Sequence, residues 1–250
     1  MLKQNLILEL QEDKNFAYEL KGSFLKKQVL SCTQISKEFT EIKNRNLYIV
    51  IEGEEVYIKT FLIPKCNKEA IKRIIYQELN IFFNNAENLT YSYKVISKTK
   101  NILKILAFYL NSEKLVKLKA YDINKNNLKL INIIQFYIFD YYFKSIKEKV
   151  YLLIFTYNDN LYILGCNNKN VISNYLIKNY NCVYNDETIT SLINKNYSSI
   201  DNHKIEKIYL VNFLDCKLLN SLKKYYEVCD LGLFSKEQLC GSIISNRCYK

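Results

Sequence analysis

Glycine, proline, tryptophan and histidine are scarce in this sequence. Its 250 residues include five glycines, one proline, one histidine and no tryptophan. Loops that cradle nucleotide phosphates depend on glycine, because a residue without a Cβ lets backbone amides approach the phosphate closely. A mechanism that needs a glycine-rich phosphate loop is therefore disfavoured from the outset.

Catalytic signatures are missing as well. The one histidine, His203, lies in the polar stretch 198–207, where we expect a surface loop. No Ser-His-Asp set, carboxylate pair or Cys-His dyad stands out by its spacing, and a single histidine leaves little for acid–base chemistry. An enzyme of another kind stays an alternative that no motif supports, and we predict no catalytic residue and no bound cofactor.

The eight cysteines have no metal-binding spacing. None forms a Cys-x-x-Cys pair, and one histidine cannot complete a usual zinc set. No signal-peptide pattern opens the chain, and no apolar run reaches the ~18 residues of a membrane span. We therefore expect reduced thiols in a cytoplasmic protein. The cysteines are Cys32, Cys66, Cys166, Cys182, Cys216, Cys229, Cys240 and Cys248.

The net charge of +11 raises the hypothesis of nucleic-acid binding. Lysines are scattered along the whole chain, and the densest stretch, 94–104, covers two predicted strands and their turn rather than one helix face. A solvated basic surface is the favoured interpretation. An acidic partner, anionic lipid and nucleic acid remain alternatives.

The remaining composition is that of a folded protein. Apolar residues make up 49% of the chain, and the aromatic 14% is entirely tyrosine and phenylalanine. Such a chain buries enough surface to offset the entropy lost on ordering. Its length allows one large domain or two lobes.

Strand and helix patterns alternate through the first half. One helix is predicted to start after an N-cap at Asn67, with Glu69 in its first turn. Its apolar stripe consists of Ile71, Ile74, Ile75, Leu79 and Phe82. The predicted strands are 6–10, 15–20, 24–30, 47–51, 54–63, 90–97, 101–110 and 128–134, and the other predicted helices are 34–43, 112–121 and 135–147.

The second half repeats the opening of the first. A hairpin starts after Lys149 and turns at residues 158–160, as residues 6–20 turn at 11–14. Strands at 207–213 and 226–231, a helix at 215–224 and a last helix from Ser235 complete this half. No linker rich in proline, glycine or serine separates the halves. This apparent duplication predicts a two-lobed α/β protein.

The central segment resembles the PilM family of type IV pilus assembly proteins. Residues 52–96, EGEEVYIKTFLIPKCNKEAIKRIIYQELNIFFNNAENLTYSYKVI, contain the family's Ile63-Pro64-Lys65 step, the helix after it and a tyrosine-rich strand with Tyr91 and Tyr93. Residues 106–139 resemble the stretch that returns to the first lobe. Together these features cover roughly 100 residues, and none is a catalytic signature.

The resemblance implies an α/β, two-lobed actin-like (ribonuclease H-like) fold. The first lobe is residues 1–147, with a small α/β subdomain inserted at about 47–110. The second lobe is residues 148–250 and lacks most of the nucleotide-clamping subdomain, since the segment between Gly165 and Lys207 is short.

Three departures from the family predict that ATP is not bound. The phosphate-binding turn of the first hairpin is replaced by residues 9–13, which supply bulk and negative charge. The acidic step of the second hairpin falls at 154–156, where no acidic residue stands. The glycines of the adenosine loop are replaced by residues 212–214, and Phe213 is expected to fill nucleotide space. The chain thus resembles a pseudo-ATPase.

In the PilM family, the cytoplasmic tail of the inner-membrane protein PilN lies in a groove beside the inserted subdomain. The resemblance implies a non-catalytic cytoplasmic scaffold or adaptor of a type IV pilus machine, at the inner face of the membrane and associated with it through partners. A PilN-like tail, the pilus assembly ATPase and the platform protein are the implied partners. The implied groove residues, whose alternative interpretation is ordinary core, are Tyr76, Phe82, Phe83, Tyr91 and Tyr93.

Other functions stay open. The chain also resembles the cytoplasmic part of GspL, which would place it in a type II secretion or competence pseudopilus system. The related FtsA proteins end in an amphipathic membrane helix, but the last predicted helix here has only a short apolar face. A basic nucleic-acid-binding module is favoured by charge alone, and we expect no nucleic-acid partner.

Overall fold

The computed structural model describes most of the chain. The described residues are 4–12, 14–21, 29–35, 45–83, 89–111, 113–118, 126–180, 186–197, 199–200, 203–213 and 216–245. The five cysteines whose side chains it describes (Cys32, Cys66, Cys166, Cys229 and Cys240) are free thiols. Within these residues no helix is both long and apolar enough to cross a bilayer.

A five-stranded sheet forms the first lobe. In chain order its strands are β1 (Asn5–Leu10), β2 (Asn15–Lys21), β3 (Val29–Ile35), β4 (Asn46–Ile51) and β8 (Leu128–Ile133). The spatial order is β3-β2-β1-β4-β8, with β1, β2 and β3 antiparallel and β1, β4 and β8 parallel. The turn between β1 and β2 closes as predicted, with Gln11 N donating to Lys14 O at 3.0 Å.

The second lobe repeats this sheet. Its strands are β9 (Val150–Tyr157), β10 (Asn160–Asn167), β11 (Asn170–Ile177), β14 (Lys207–Val211) and β15 (Val228–Asp230), in the spatial order β11-β10-β9-β14-β15. The antiparallel and parallel pairs fall as in the first sheet. The predicted duplication is therefore confirmed at the level of strand order and direction. A short ribbon, β12 (Ser199–Ile200) with β13 (His203–Lys204), lies beside it.

A small subdomain is inserted between β4 and β8. It contains β5 (Val56–Pro64), α1 (Lys68–Phe82), β6 (Leu89–Lys98) and β7 (Ile102–Asn111), and its sheet has the order β5-β7-β6. The helix begins as predicted, because Asn67 Oδ1 accepts from Ala70 N at 2.9 Å. The predicted range of about 47–110 starts before this sheet, since β4 pairs inside the first lobe.

Five further helices lie in the described part of the chain, and hydrophobic clusters join most of them to the sheets. They are α2 (Glu113–Leu118), α3 (Ile134–Tyr142), α4 (Asp186–Asn196), α5 (Cys216–Leu222) and α6 (Lys236–Ser245). Helices α4 and α5 pack on the outer face of the second sheet. A central cluster places α3 and α6 between the sheets, with Ile7 from β1 and Leu153 from β9. The two lobes thus share one apolar layer.

Several predicted elements are displaced or were missed. The third strand, Val29–Ile35, overlaps the end of the predicted strand 24–30, whose first residues lie outside the described residues. Because this strand continues to Ile35, the first residues of the predicted helix 34–43 are strand, and the rest of that helix is also outside the described residues. Phe82 was predicted in the buried stripe of α1, but its side chain is exposed at the last helical residue. β11 and α4 were not predicted. His203 is in a strand, and its side chain lies outside the described residues.

Candidate functional site

Two glutamates lie at the carboxyl ends of neighbouring parallel strands. Glu9 is near the end of β1, and Glu52 directly follows β4. Because side chains alternate along a strand, Glu9 shares a face with Ile7 and Glu52 with Val50, and both apolar residues belong to the central cluster. The carboxylates therefore point toward the second sheet. They are 3% and 4% exposed.

Glu9 is held from the second lobe. Tyr157 Oη donates to Glu9 Oε2 at 2.7 Å, and Asn158 Nδ2 donates to Oε1 at 3.4 Å. Lys236 Nζ lies 3.5 Å from both carboxylate oxygens. From its own hairpin, Gln11 Nε2 donates to Oε1 at 2.6 Å. A buried carboxylate needs such partners, because removing its charge from water is costly.

Glu52 makes the equivalent contacts to the start of β10. Asn160 Nδ2 donates to Glu52 Oε1 at 2.5 Å, and Tyr162 Oη lies 3.3 Å from the same oxygen. Tyr162 Oη also accepts from Gly53 N at 3.0 Å. Lys114 donates to the backbone carbonyl of Glu52. We call Glu9, Glu52, Tyr157, Asn160 and Tyr162 the interlobe network.

Burial sets the protonation of this network. It raises the pKa of Glu52, with the nearby charge of Glu9 adding to the shift and the hydrogen bond from Asn160 opposing it. Burial also raises the pKa of Tyr157 and Tyr162 well above its ordinary value, and Glu9 and Glu52 respectively add to the shifts. Both hydroxyls therefore stay protonated at neutral pH and serve as donors.

The segment at 212–214, where the PilM family has its adenosine loop, is tied to β9 by a reciprocal pair of hydrogen bonds. Thr156 Oγ1 donates to Asn212 O at 2.6 Å, and Asn212 Nδ2 donates to Thr156 O at 3.0 Å. Asn212 has a φ of 65°, the left-handed region that asparagine tolerates. Phe213 packs against the cluster under α4 and α5. Phe213, which was predicted to fill nucleotide space, therefore packs on the outer face of the second sheet.

A separate groove lies on the inserted subdomain, between the end of α1 and the start of β5. Its volume is about 360 Å³, a size that suits a few side chains of a bound segment. Lys59 Nζ lies 3.6 Å from the centroid of the Phe82 ring and 2.9 Å from Glu78 Oε2. The lining residues are Tyr57, Ile58, Lys59, Glu78, Leu79, Phe82, Phe83 and Tyr109.

One wall of the groove carries a polar atom with no partner. Tyr109 is buried, and its hydroxyl makes no hydrogen bond within the described part of the chain. Burial raises the pKa of Tyr109 to about 12, with Glu78 and Tyr91 adding to the shift. An unpaired buried hydroxyl costs free energy, because it has given up its hydrogen bonds to water.

The five predicted partner-binding residues lie in three different places. Phe82 and Phe83 line the groove, where the Phe83 ring packs edge-on to Tyr57 at 5.4 Å between centroids. Tyr91 and Tyr93 pack on the core of the subdomain, and Tyr76 is exposed on α1. The structure thus brings two of the five together.

No protein-family model matches the chain, and no curated protein does either. Solved structures with a similar fold do match the chain. The chain aligns with the PilM–PilN type IV pilus biogenesis complex at 9% identity and a TM-score of 0.58, covering 94% of this chain and 93% of the other. The chain also aligns with the cytoplasmic domain of EpsL, an inner-membrane component of the type II secretion system of Vibrio cholerae. The identity is 9% and the TM-score 0.55, and the alignment covers 97% of this chain and 93% of the other.

A third solved structure names the fold. It is a Bacteroides thetaiotaomicron protein of unknown function with an actin-like ATPase fold, aligned at 12% identity and a TM-score of 0.52 over 93% of this chain and 91% of the other. This chain has the actin-like fold. The predicted two-lobed architecture is therefore confirmed, and so is the resemblance to PilM and GspL at the level of the fold.

The residues between the lobes do not suit the nucleotide that the actin-like ATPase fold implies. The two hairpins contact each other through the interlobe network, and Lys178 Nζ pairs with Glu12 Oε2 at 3.0 Å beside it. Glu9 and Glu52 would repel a phosphate placed between the hairpins unless a cation accompanied it. Tyr157 and Tyr162 are buried, and their hydroxyls lie against the two carboxylates, so the network leaves the hairpins in direct contact.

Sequence reasoning missed most of these contacts. Tyr157 and Tyr162 were counted only as strand residues, and Glu52 only as the residue after a strand. One signal was present in the sequence. Glu9 lies near the end of one apolar run and Glu52 directly follows another. Because the ends of parallel strands meet at one edge of a sheet, this placement predicts that the two carboxylates lie close together. Three groove residues were missed, namely Tyr57, Lys59 and Tyr109. The alternating side chains of β5 and β7 are typical of any β-sheet, so they gave no sign of a groove.

Proposed function

We propose that this chain is a non-catalytic cytoplasmic adaptor of a type IV pilus or related secretion machine. The observation that carries the proposal is the interlobe network, because it joins the two hairpins where the actin-like ATPase fold would hold a nucleotide. Direct hydrogen bonds such as Tyr157 to Glu9, at 2.7 Å, leave the hairpins in contact. A chain with this arrangement serves through its surfaces.

The surface we assign to the partner is the groove between α1 and β5. One solved structure with this fold is a complex of PilM with PilN, and we propose a PilN-like inner-membrane partner for this chain. Exposed Phe82 and Tyr57 supply apolar contact, while Lys59 and Glu78 offer one cation and one anion. A short segment with apolar anchors and a backbone donor or acceptor fits this lining.

The partner would bring the chain to the inner face of the membrane. By the same resemblance, the pilus assembly ATPase and the platform protein are proposed as further contacts. The similarity to the EpsL cytoplasmic domain favours a second candidate function, a component of a type II secretion-like or competence pseudopilus system, because that alignment covers 97% of this chain.

The test is calorimetric titration of the purified chain. Mg-ATP is titrated first, followed by synthetic peptides for the cytoplasmic tails of the PilN-like and type II secretion membrane proteins encoded in the same genome. We expect no heat with Mg-ATP and micromolar binding of one tail. The tail that binds decides between the pilus and secretion systems. Saturable Mg-ATP binding would overturn the nucleotide-free assignment. The absence of binding heat with every tail peptide would overturn the assignment of the groove to a membrane partner.

A further inference from the structure

The inserted subdomain carries more than its share of the positive charge. Residues 56–111 contain nine lysines and arginines against three glutamates, a net charge of +6 in 56 residues, while the whole chain carries +11 in 250. The concentration is hidden in the sequence, because the lysines come from β5, α1, β6 and β7 in turn. The fold gathers them on one small unit.

Much of this charge lies at the end of the subdomain that is far from the lobes. Val56, at the start of β5, packs in the core of the first lobe. At about 3.3 Å per residue, the other end of β5 lies roughly 25 Å away. There β5 ends beside the turn between β6 and β7, with Lys65 N donating to Asn101 O at 2.8 Å. We call residues 62–68 and 97–104 the basic tip.

The basic tip contains no acidic residue. Its five lysines are Lys65, Lys68, Lys98, Lys100 and Lys104. All but Lys104 are exposed. Within the described part of the chain, the structure records no ion pair for Lys65, Lys98 or Lys100. Lys65, Lys98 and Lys100 therefore present their charges to solvent.

Exposed apolar side chains stand beside Lys104 on one sheet face of the tip. Leu62 is opposite Lys104, and Pro64 is opposite Ile102, so all four share a face. The opposite face, with Ile63 and Leu103, packs against α1. Leu62 is 72% exposed and Ile102 is 48% exposed. A soluble surface gains nothing from such exposure, whereas a bilayer interface buries it.

We propose that the basic tip binds directly to the surface of an anionic bilayer. Lysines at the tip are attracted to acidic headgroups, and Leu62 and Ile102 enter the region between headgroups and acyl chains. Nucleic acid fits less well, because the tip has no arginine, tyrosine or phenylalanine to stack on bases. This contact is additional to the proposed protein partner and requires no other component.

The strength of the contact follows from the charge. A lysine near an anionic membrane contributes roughly a five-fold gain in partitioning, so removing three costs about 100-fold. The attraction is screened over about 10 Å at 0.1 M salt. Binding is therefore expected to be strong at low salt and weak at high salt, with a remainder from Leu62 and Ile102.

The experiment is flotation of the full chain with vesicles of phosphatidylcholine alone, or mixed with 30% phosphatidylglycerol, over a series of salt concentrations. The tip variant is Lys65→Gln, Lys98→Gln and Lys100→Gln combined. The matched control is Lys195→Gln, Lys223→Gln and Lys224→Gln, which changes exposed lysines on the second lobe by the same charge. A thermal melt verifies that each variant is folded.

We expect the natural chain and the control to float with anionic vesicles at low salt and the tip variant to lose about 100-fold in partitioning. A combined Leu62→Ser and Ile102→Ser variant should lose the binding that survives high salt. Equal losses for the two lysine variants would reduce the effect to overall charge and overturn the proposal. No flotation of the natural chain, or tip-dependent binding to a DNA oligonucleotide that exceeds vesicle binding, would overturn it as well.

Discussion

The hydroxyl of Tyr157, at the end of β9, donates to the buried carboxylate of Glu9, at the end of β1, across 2.7 Å. The two residues are 148 positions apart in the chain, so the contact joins the opening hairpins of the two lobes. In a duplicated fold the two hairpins face each other across the interlobe space. Here a side-chain hydrogen bond spans that space.

Tyr157→Phe should therefore destabilise the folded chain. The substitution keeps the ring and removes one donor to a buried carboxylate, which costs about 2 kcal/mol because Glu9 loses a short charge-assisted hydrogen bond. Urea unfolding measures the change in the free energy of unfolding. The control is Tyr225→Phe, where the tyrosine is exposed and little change is expected. Equal effects of the two substitutions would show that the Tyr157 hydrogen bond contributes nothing specific.

Glu52→Gln should change how stability depends on pH. Burial raises the pKa of Glu52 above its ordinary value of 4.5, so its contribution to stability is fully present below about pH 4.5 and is lost as pH rises through the folded-state pKa. Glutamine keeps the Oε1 acceptor for Asn160 and Tyr162 and does not titrate. Each unit of the upward shift corresponds to about 1.4 kcal/mol.

We expect Glu52→Gln and the natural chain to be about equally stable near pH 4.5, with the variant increasingly the more stable toward pH 8. Unfolding curves at several pH values give the difference. The groups that face the carboxyl are Glu9, Lys114, Asn158, Asn160 and Tyr162. Glu55→Gln, at an exposed neighbour, serves as the control and should change little. A variant whose advantage shrinks with rising pH would contradict the assigned direction.

Tyr109→Phe tests the unpaired hydroxyl in the groove. Within the described residues this buried hydroxyl has no hydrogen-bond partner, so its removal relieves a desolvation cost and should stabilise the chain by about 1 kcal/mol. Thermal unfolding is the measurement. Tyr57→Phe, at an exposed tyrosine of the same groove, should leave stability unchanged. Destabilisation by Tyr109→Phe would reveal a hydrogen-bond partner for the hydroxyl.

The sequence predicted the fold well where local patterns and topology agree. The hairpins, the N-cap at Asn67 and the start of the last helix at Ser235 all follow from short-range signals, and Gln238 N donates to Ser235 Oγ at 3.1 Å. β11 was missed because asparagines at 170 and 174 interrupt its pattern, and asparagine is depleted in strands. The hydrogen bonds of its antiparallel pairing with β10 stabilise β11 although its residues have a low strand propensity.

The candidate site was harder to predict for the same reason. Glu52 contacts Tyr162 over a separation of 110 residues, and the groove brings β5, α1 and β7 together at one end of a sheet. Neither arrangement leaves a local motif. The helical stripe predicted that Phe82 would be buried, yet its ring lies under Lys59 at the edge, since α1 ends there. Position at an element's end decides exposure in a way that periodicity does not show.

Phe82→Ala should weaken binding of the partner tail without weakening the fold. Phe82 is 62% exposed and lines the groove, so truncation removes contact area for a bound segment while little core packing is lost. The adjacent Ile81 is 73% exposed and does not line the groove, which makes Ile81→Ala a matched control. An aromatic anchor at an interface is worth about 2 kcal/mol or more, a loss of roughly 30-fold in affinity. Titration of the tail peptide that binds the natural chain, beside thermal melts of both variants, separates the roles: a 30-fold loss for Phe82→Ala alone places the tail in the groove, whereas equal affinities place it on another surface of this actin-like chain.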